Sequence, residues 1–257
     1  MEVCQPKFKG LRCLLRKIFT DENLHLMSHL QENLNLEIIE KYLPGSHLLS
    51  QKQKELLVNN VNVVRYRRKD MIFRQDARSS HIMFVKSGMI KIFRENRDGR
   101  AIVLKLAVAS DYLCLMSVFA DKVQHFSATA VTDAEICDID ASILKSILLE
   151  NSPYAQRLHH LLSMEGLFIF DRLMGQTHKQ LPGRVADLLL YFSEEVFKNE
   201  VFILPLTRKE LAEFAGTTKE SFIRTLREFS NDKIIDIKGA EIRIRSMDII
   251  KTLSLLG

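Results

Sequence analysis

The segment GTTKESFIRT, residues 216–225, contains Lys219, Glu220 and Arg224, and Arg227 follows it closely. On a helix, Glu220 and Arg224 would lie on one face together with Arg227, because residues three and four positions apart are neighbours. Arginine and lysine can pair with the O6 and N7 atoms of guanine, and glutamate can accept a hydrogen bond from the amino group of cytosine. This face therefore carries groups suited to reading base edges. The apolar side chains lie on another face of the helix: Phe222, Leu226 and Phe229.

The residues before this face indicate two short helices. Thr207 and Glu210 have the spacing of a capping box. In this motif the threonine hydroxyl accepts a hydrogen bond from the third helical amide, and the glutamate carboxylate accepts one from the amide of the threonine. Gly216 is the residue type favoured just past a helix end. Thr217 and Glu220 repeat the capping pattern and predict the start of a second helix. Two helices joined by a short turn containing glycine are typical of a helix-turn-helix.

The segment IIDIKGAEIRI, residues 234–244, predicts two strands around a Lys-Gly-Ala turn, which is the wing of a winged helix. Helix, turn, helix and wing together predict DNA binding, with residues 218–229 as the recognition helix. A competing interpretation is that Glu220 and Arg224 form only a surface ion pair, but this does not explain the surrounding turn and wing. The candidate DNA-binding residues are Thr217, Thr218, Lys219, Glu220, Ile223, Arg224 and Arg227.

The rest of the chain divides by its apolar spacing. Residues 1 to about 60 have apolar residues at three- and four-residue spacings and predict helices. Between residues 61 and 140, short segments rich in β-branched and aromatic residues are separated by turn signals such as NRDGR, residues 96–100. Several strands without intervening helices indicate an antiparallel sandwich or barrel. Helical spacing returns after residue 140 and includes one long helix.

The long helix is predicted to begin near Pro153 and to end before the Pro182-Gly183 pair. An apolar stripe on such a helix typically packs against a partner, and packing within one subunit is the alternative. Leu181, Pro182 and Gly183 are the predicted hinge between this helix and the next. The stripe consists of Leu158, Leu162, Ile169 and Leu173.

Composition limits the class of protein without identifying it. The 257 residues are 46% hydrophobic and 27% charged, which is ordinary for a soluble protein. A formal charge of +5 favours polyanionic partners only mildly. The sequence shows no apolar run long enough for a membrane span and no secretory signal, so we expect a cytoplasmic protein. We find no nucleophile elbow, P-loop, dinucleotide fingerprint or HExxH motif, and we therefore expect no enzymatic activity.

The order of these parts resembles the cAMP receptor protein/fumarate-nitrate regulator (CRP/FNR) family of bacterial transcription factors. LTRKELAEFAGTTKESFIRTLREF is similar to the helix-turn-helix of the family, GRVADLLL to the start of its post-hinge helix, and SGMIKIF and DGR to its roll strands. The resemblance implies an α+β fold with an N-terminal antiparallel β-roll, similar to cyclic-nucleotide-binding jelly rolls, a long dimerisation helix and a C-terminal winged helix-turn-helix. The corresponding segments are a helical extension at 1–47, the roll at 48–150, the dimerisation helix at 151–180 and the DNA-binding domain at 181–257.

The resemblance also implies the partners. We expect a homodimer on a two-fold related site in double-stranded DNA, with RNA polymerase as a further partner if the protein is an activator. An unknown small-molecule effector would bias the hinge between two orientations of the DNA-binding domains. A module that binds an effector and a partner protein, but not DNA, is the alternative from another class.

The positions that hold a cyclic nucleotide in the family are changed in this chain. Nucleotide-binding members use a Gly-Glu pair for the ribose and an Arg-Ser pair for the cyclic phosphate. Cys114-Leu115 and Phe126-Ser127 occupy these positions here. Because neither an arginine nor a carboxylate remains, we expect no control by cAMP and an apolar or collapsed effector pocket.

Metal cofactors remain as alternatives, and the main prediction is that the protein has none. Some relatives hold an iron–sulfur cluster on cysteines, but the four cysteines of this chain are scattered, which favours reduced thiols. The spacing of His25 and His29 on a helix is suited to ligating a metal ion. A haem ligand at His159 or His160 is a further alternative. The cysteines that could hold a cluster are Cys4, Cys13, Cys114 and Cys137.

Overall fold

The computed structural model describes the backbone of residues 21–257 and the side chains of residues 31–257. Two of the candidate cluster ligands, Cys4 and Cys13, lie outside the described residues, as do the side chains of His25 and His29. Within the described part of the chain, no helix is long and apolar enough to cross a membrane.

The first helices belong to the core of the domain that follows them. Ile38, Ile39 and Leu43 are buried in the same apolar cluster as the strands of the roll. The side-chain amide of Asn35 donates a hydrogen bond of 2.9 Å to the carbonyl of Val58, and this bond holds the first helix against the end of the second. The elements are α1 (Asp21–Tyr42), a short 3-10 helix (Ser46–Leu48) and α2 (Gln51–Val58).

Antiparallel strands form the predicted roll as two facing sheets, with strand orders β1-β7-β3 and β2-β6-β4-β5. Inward and outward side chains alternate along much of each strand, as expected for sheets with one buried face. The short helix α3 (Leu115–Phe119) connects the last strand of one hairpin to the next strand. The strands are β1 (Val61–Tyr66), β2 (Met71–Phe73), β3 (His81–Ser87), β4 (Ile90–Glu95), β5 (Ala101–Ala107), β6 (Ser127–Ala130) and β7 (Ala134–Asp140).

The long helix predicted from the sequence is present and is tied to the roll at its start. Helix α4 (Ala141–Glu150) precedes it, and the long helix is α5 (Ser152–His178). The side-chain oxygen of Asn151 accepts from the amide of Tyr154 at 3.0 Å and thereby caps α5. The buried hydroxyl of Tyr154 lies 3.0 Å from the hydroxyl of Tyr112 in the roll.

The break after α5 lies slightly before the predicted hinge. Lys179 and Gln180 have extended backbones, whereas Leu181, Pro182 and Gly183 form the first turn of helix α6 (Leu181–Leu190). Proline is accepted in a first helical turn because its missing amide has no helical partner there. The proline therefore begins a helix, and the extended connection between α5 and α6 consists of the two residues before it.

The C-terminal elements form the predicted winged helix-turn-helix with one additional strand. The sheet has the antiparallel order β8-β10-β9, and β8 is too short to give a recognisable sequence pattern. Helix α6 continues into a π-helical turn, Tyr191–Val196, before β8. The remaining elements are β8 (Val201–Ile203), α7 (Arg208–Phe214), α8 (Lys219–Asn231), β9 (Ile235–Lys238), β10 (Glu241–Ile244) and α9 (Met247–Leu256).

The winged helix packs directly against the roll of the same chain. Apolar residues of β4, β5 and α7 share one buried cluster. The ammonium group of Lys91 on β4 bonds to the carboxylate of Glu210 on α7. The hydroxyl of Tyr191 accepts from the amide of Leu106 and donates to its carbonyl, at 3.0 Å in both cases. These contacts join the roll and the DNA-binding domain into one packed unit.

Two turn glycines of the roll adopt left-handed conformations in different surroundings. Gly88, between β3 and β4, has φ +88°, and a Cβ atom there would lie 2.5 Å from the carbonyl oxygen of Asp133. Gly99, in the β4–β5 turn, has φ +73°, but a Cβ atom there would meet nothing within 4 Å. Both glycines are needed for backbone conformation, and only Gly88 is also needed for space.

We expect Gly99→Ala to lower the free energy of unfolding by about 1 kcal/mol, which is the cost of a left-handed alanine. Gly88→Ala should cost more than about 3 kcal/mol, because steric overlap with a backbone carbonyl adds to the same conformational cost. Urea denaturation of the two variants measures the difference. Equal losses would show that the neighbourhood of Gly88 relaxes freely.

Candidate nucleic-acid interface

The first helix of the motif begins as the sequence predicts. The hydroxyl of Thr207 accepts from the amide of Glu210, and the carboxylate of Glu210 accepts from the amide of Thr207, so the capping box is confirmed. Helix α7 ends at Phe214, and Gly216 follows in a left-handed conformation with φ +63°. The conformation of this turn determines the direction of the second helix relative to the first.

The second helix begins one residue later than the sequence suggests. The N-cap of α8 is Thr218, whose hydroxyl accepts from the amide of Ser221 at 3.2 Å. The predicted capping box of Thr217 with Glu220 is therefore wrong, because Glu220 lies at the second helical position rather than the third. Its carboxylate is not used to cap the helix.

Helix α8 has the two faces that the sequence predicts. Its buried side chains pack into the winged helix: Phe222, Thr225, Leu226 and Phe229. Of the candidate DNA-binding residues, Thr217 and Ile223 are half-buried. The others are exposed along the outer face: Thr218, Lys219, Glu220, Arg224 and Arg227.

Ion pairs among the described residues do not neutralise the charged face of α8. Arg224 lies 3.9 Å from the carboxylate of Glu228, and both side chains are more than half exposed, so this contact contributes little. The alternative pairing of Arg224 with Glu220 does not form, and Glu220 has no ion pair in the described part of the chain. The charged groups at the start of α8 therefore remain available to a ligand.

The wing is held to the first helix by a contact that the sequence did not reveal. The guanidinium group of Arg208, at the first position of α7, donates a 2.8 Å hydrogen bond to the carbonyl of Gly239 in the β9–β10 turn. Burial lowers the pKa of Arg208, and its charge is retained at neutral pH. Only the folded structure brings the two together, since they are far apart in sequence.

The four positions predicted for an effector do not form one pocket. Cys114, Leu115 and Ser127 are buried in the core of the roll, and the hydroxyl of Ser127 accepts from the amide of Gln75 at 3.0 Å. The ring of Phe126, the position predicted to replace a phosphate-binding arginine, packs with its centre 6.0 Å from that of Phe73. No cationic side chain is present at these positions to receive a cyclic phosphate.

A cavity of about 220 Å³ lies beside them, between the β4–β5 hairpin and α5. Phe126 is the one predicted effector residue that lines it. Most of its other lining is apolar, and its charged groups come from β5 and α5. Its other lining residues are Ile92, Ile102, Leu104, Lys105, Met116, Glu165, Phe168, Ile169, Arg172, Leu173 and Gln176.

The buried cysteines of the roll do not suit an iron–sulfur cluster. Cluster ligands are thiolates, whereas burial raises the pKa of Cys114 to about 12 and that of Cys137 to about 12. In the part of the chain that the structure describes, no group of three or more histidine, cysteine, aspartate or glutamate side chains could hold a metal ion. His159 and His160 are both exposed on α5.

The predicted stripe on α5 divides into two parts. Leu158 is buried within the core of its own chain and Leu162 is half-buried against the same cluster, so packing within one subunit applies to these two. Ile169 and Leu173 are exposed. They belong to an outward apolar face of α5, of which the sequence predicted only these two residues. The face consists of Met164, Leu167, Ile169, Phe170, Leu173 and Met174.

Comparison with known families decides the classification. The profile of the cyclic nucleotide-binding domain matches residues 63–151, and that of the Crp-like helix-turn-helix domain matches residues 183–253. The chain belongs to the CRP/FNR family. The protein is accordingly a transcription regulator with a helix-turn-helix DNA-binding domain, and the family consists of transcription regulators.

Relatives of this CRP/FNR protein include regulators of different kinds. A "CRP-like cAMP-activated global transcriptional regulator" from Mycobacterium tuberculosis is 24% identical over 192 residues, which are 73% of this chain and 86% of that protein. The "Fumarate and nitrate reduction regulatory protein" of Vibrio cholerae is 25% identical over 164 residues, which are 62% of this chain and 65% of that protein.

Solved structures of the family share the fold of this chain. FixK2 from Bradyrhizobium japonicum superposes with a TM-score of 0.70 at 20% identity and covers 75% of this chain and 96% of that one. The c-di-GMP responsive regulator CLP of Xanthomonas campestris gives a TM-score of 0.64 at 20% identity, over 76% and 99% of the two chains. At this level of identity, the likeness concerns the fold alone.

Burial of the roll cysteines predicts that they are unreactive in the folded protein. A thiol with a pKa near 12 is about one ten-thousandth ionised at pH 8. We therefore expect iodoacetamide at pH 8 to leave Cys114 and Cys137 unmodified, as measured by mass mapping of peptides. The same treatment in urea should modify both cysteines. Rapid alkylation of Cys114 in the folded state would contradict its buried environment.

Proposed function

We propose that the protein acts as a homodimer that reads a two-fold related DNA site with α8 and does not respond to cAMP. The observation that carries this proposal is the outer face of α8, where several charged groups are exposed without strong partners. As a DNA-binding regulator of bacterial type, it would act in the cytoplasm, with RNA polymerase as a partner if it activates transcription.

The start of α8 supports direct reading of bases. Recognition helices place their N-terminal residues in the major groove, where Lys219 and Arg224 would pair with guanine and Glu220 with cytosine. Thr217 and Thr218 lie at the N-terminus of α8, and a helix N-terminus favours a phosphate group. Glu220 supports base contact in particular, because a carboxylate facing only phosphates would be repelled.

The outward face of α5 supports a homodimer. Phe170 is 65% exposed and Leu167 is 55% exposed, and both lie on one helix together with four further exposed apolar residues. A contiguous apolar patch of this kind marks an interaction surface in a soluble protein. A second copy of the chain offers the same face, so two helices can cover each other around a two-fold axis. The two α8 helices would then enter major grooves about 34 Å apart.

Independence from cAMP is supported by the chemistry of the roll. The cyclic phosphate needs a cationic hydrogen-bond donor, and the ribose hydroxyl needs an acceptor. Leu115 and Phe126 supply neither, and the ring of Phe126 already packs against Phe73. The cAMP response in the name of the mycobacterial relative is therefore not carried over to this chain.

We expect Arg224→Ala to weaken binding to a selected DNA site by about 1–3 kcal/mol and to relax the preference at one base pair in each half-site. Fluorescence anisotropy with the selected duplex and with single-base variants measures both effects. Arg157→Ala is the matched control, because Arg157 is an exposed arginine on α5, outside the DNA-binding domain. An unchanged affinity for Arg224→Ala would remove this residue from the interface.

Phe170→Glu should convert the dimer into a monomer, because it places a charge in the centre of the proposed interface. Analytical ultracentrifugation at micromolar concentration measures the mass in solution. Leu149→Glu is the control, since Leu149 is 89% exposed but lies on α4, away from the apolar face of α5. If Phe170→Glu stays dimeric, the two copies must meet elsewhere.

A further inference from the structure

Positive charge is concentrated in the roll rather than in the DNA-binding domain. Residues 61–107 contain twelve Lys/Arg and four Asp/Glu, a net charge of +8, although the whole chain carries only +5. Residues 181–257 contain twelve of each kind and have no net charge. Contacts between cations and phosphates supply a large share of the affinity of a protein for DNA. The helix-turn-helix domain alone is poorly equipped to supply that share.

The unpaired cations of the roll are grouped in two of its turns. The β1–β2 turn and the β4–β5 turn each contain one acidic residue, Asp70 and Asp98, and are otherwise rich in lysine and arginine. The side chains of these cations are exposed and form no ion pair with any residue that the structure describes. They are Arg67, Arg68 and Lys69 in the first turn and Arg97 and Arg100 in the second.

The backbone of the β1–β2 turn keeps its cations pointing outward. The carboxylate of Asp70 accepts from the amide of Arg67 at 2.7 Å, and that of Asp133 accepts from the amide of Arg68 at 2.8 Å. These acids therefore bind the backbone of the turn instead of its cationic side chains. Lys69 has φ +77°, a left-handed conformation that is unfavourable for lysine. Backbone strain of this kind is enriched at functional positions.

A groove of about 450 Å³ connects the two turns with the start of the helix-turn-helix. Arg68 and Lys69 line it from the first turn and Gly99 from the second, while Thr207 and Lys209 line it from the start of α7. The first helix of a helix-turn-helix crosses the DNA backbone when the second lies in the major groove. The cations of the roll are therefore next to the end of α7 that faces phosphates in such a complex.

The carboxylates of this groove do not neutralise the turn. Glu210 bonds Lys91, and Glu213 lies 3.7 Å from the ammonium group of Lys209. Glu95 is the other acidic residue of the lining, and its side chain is exposed. The pairs in the groove cancel, and the cations of the β1–β2 turn remain in excess.

We infer that the β1–β2 and β4–β5 turns of the roll bind the phosphate backbone of DNA outside the two half-sites read by α8. The contact adds affinity without sequence preference, because phosphates are the same at every base pair. The inference rests on the proposed function, since α8 must first place the DNA on the protein. The neutral DNA-binding domain would then select the site, and the roll would supply much of the electrostatic attraction.

The first experiment compares two lengths of the selected duplex by fluorescence anisotropy with the full-length protein at several salt concentrations. One duplex ends at the outer edges of the half-sites, and the other is longer by one helical turn, roughly 10 base pairs, on each side. The slope of log affinity against log salt changes by about 0.9 for each neutralised phosphate. We expect the slope to be steeper by at least about 2 for the long duplex. Equal slopes would overturn the inference.

A charge-removal variant assigns the difference to the first turn. Arg67→Gln, Arg68→Gln and Lys69→Asn together remove three charges from each subunit, and asparagine tolerates the left-handed conformation at position 69. This variant should lose most of the extra slope on the long duplex, because its turn no longer displaces counterions from the flanks. It should bind the short duplex as the wild type does and keep the same preference among single-base variants.

The matched control removes the same charge from the other end of β1. Lys41→Gln, Lys52→Gln and Arg157→Gln change exposed positions on α1, α2 and α5. These helices pack at the start of β1, whereas the basic turn follows its end. The control should keep the slope of the wild type on the long duplex. A turn variant that keeps the wild-type slope, or a control that loses it equally, would overturn the inference.

Neutral flanks provide a test that needs no change in the protein. Methylphosphonate linkages outside the half-sites remove the phosphate charges, and the affinity of the wild type for the long duplex should fall at least about fivefold. The turn variant should not lose affinity in this way. Failure to bind any duplex would refute the proposed function and this inference with it. Sequence-selective binding that ignores the flanks would overturn this inference alone, and the basic turns would then face another polyanion, such as an acidic protein surface.

Discussion

The packing of α7 against the β4–β5 hairpin determines where the recognition helix stands. Glu210 shows how closely the two parts are joined, because its carboxylate caps α7 through Thr207 and also bonds Lys91 in the roll. The same side chain thus starts the helix and attaches it to the roll. A packed interface of this kind changes between discrete arrangements rather than by gradual deformation, so a shift of the hairpin would reorient α8 as a unit.

The division of α8 into two faces explains how a modestly basic protein can be suited to DNA. Its net charge of +5 is a weak attraction by itself. Phe222 and Phe229 bury one face of the helix, and Lys219 and Arg224 are thereby held on the other. Specificity in such an interface depends on where a few donors and acceptors are placed, and the buried aromatic residues determine that placement.

The predicted effector positions of the roll carry no charged side chain: Cys114, Leu115, Phe126 and Ser127. The ring of Phe126 packs against Phe73, and Cys114 is a core residue whose ionisation is suppressed by burial. A cation lies instead on α5, where Arg172 donates to the carbonyl of Phe214 at the end of α7. The architecture that connects roll and helix-turn-helix is retained, while the chemistry at the cavity is its own.

Local signals in the sequence determined the elements: the Thr207 capping box, the turn at Gly216, the wing around Gly239 and the long helix all follow from interactions within a few residues. Signals of this range misplaced the start of α8 by one residue and could not separate Leu158, which is buried in its own chain, from the exposed residues of the same stripe. Whether a helical residue faces the core is decided by burial, and burial depends on the other elements that pack against the helix. The contacts of Arg172 and of Lys91 join residues far apart in the chain. Only the tertiary structure determines them, because no local pattern encodes which distant carbonyl or carboxylate a long cationic side chain will reach.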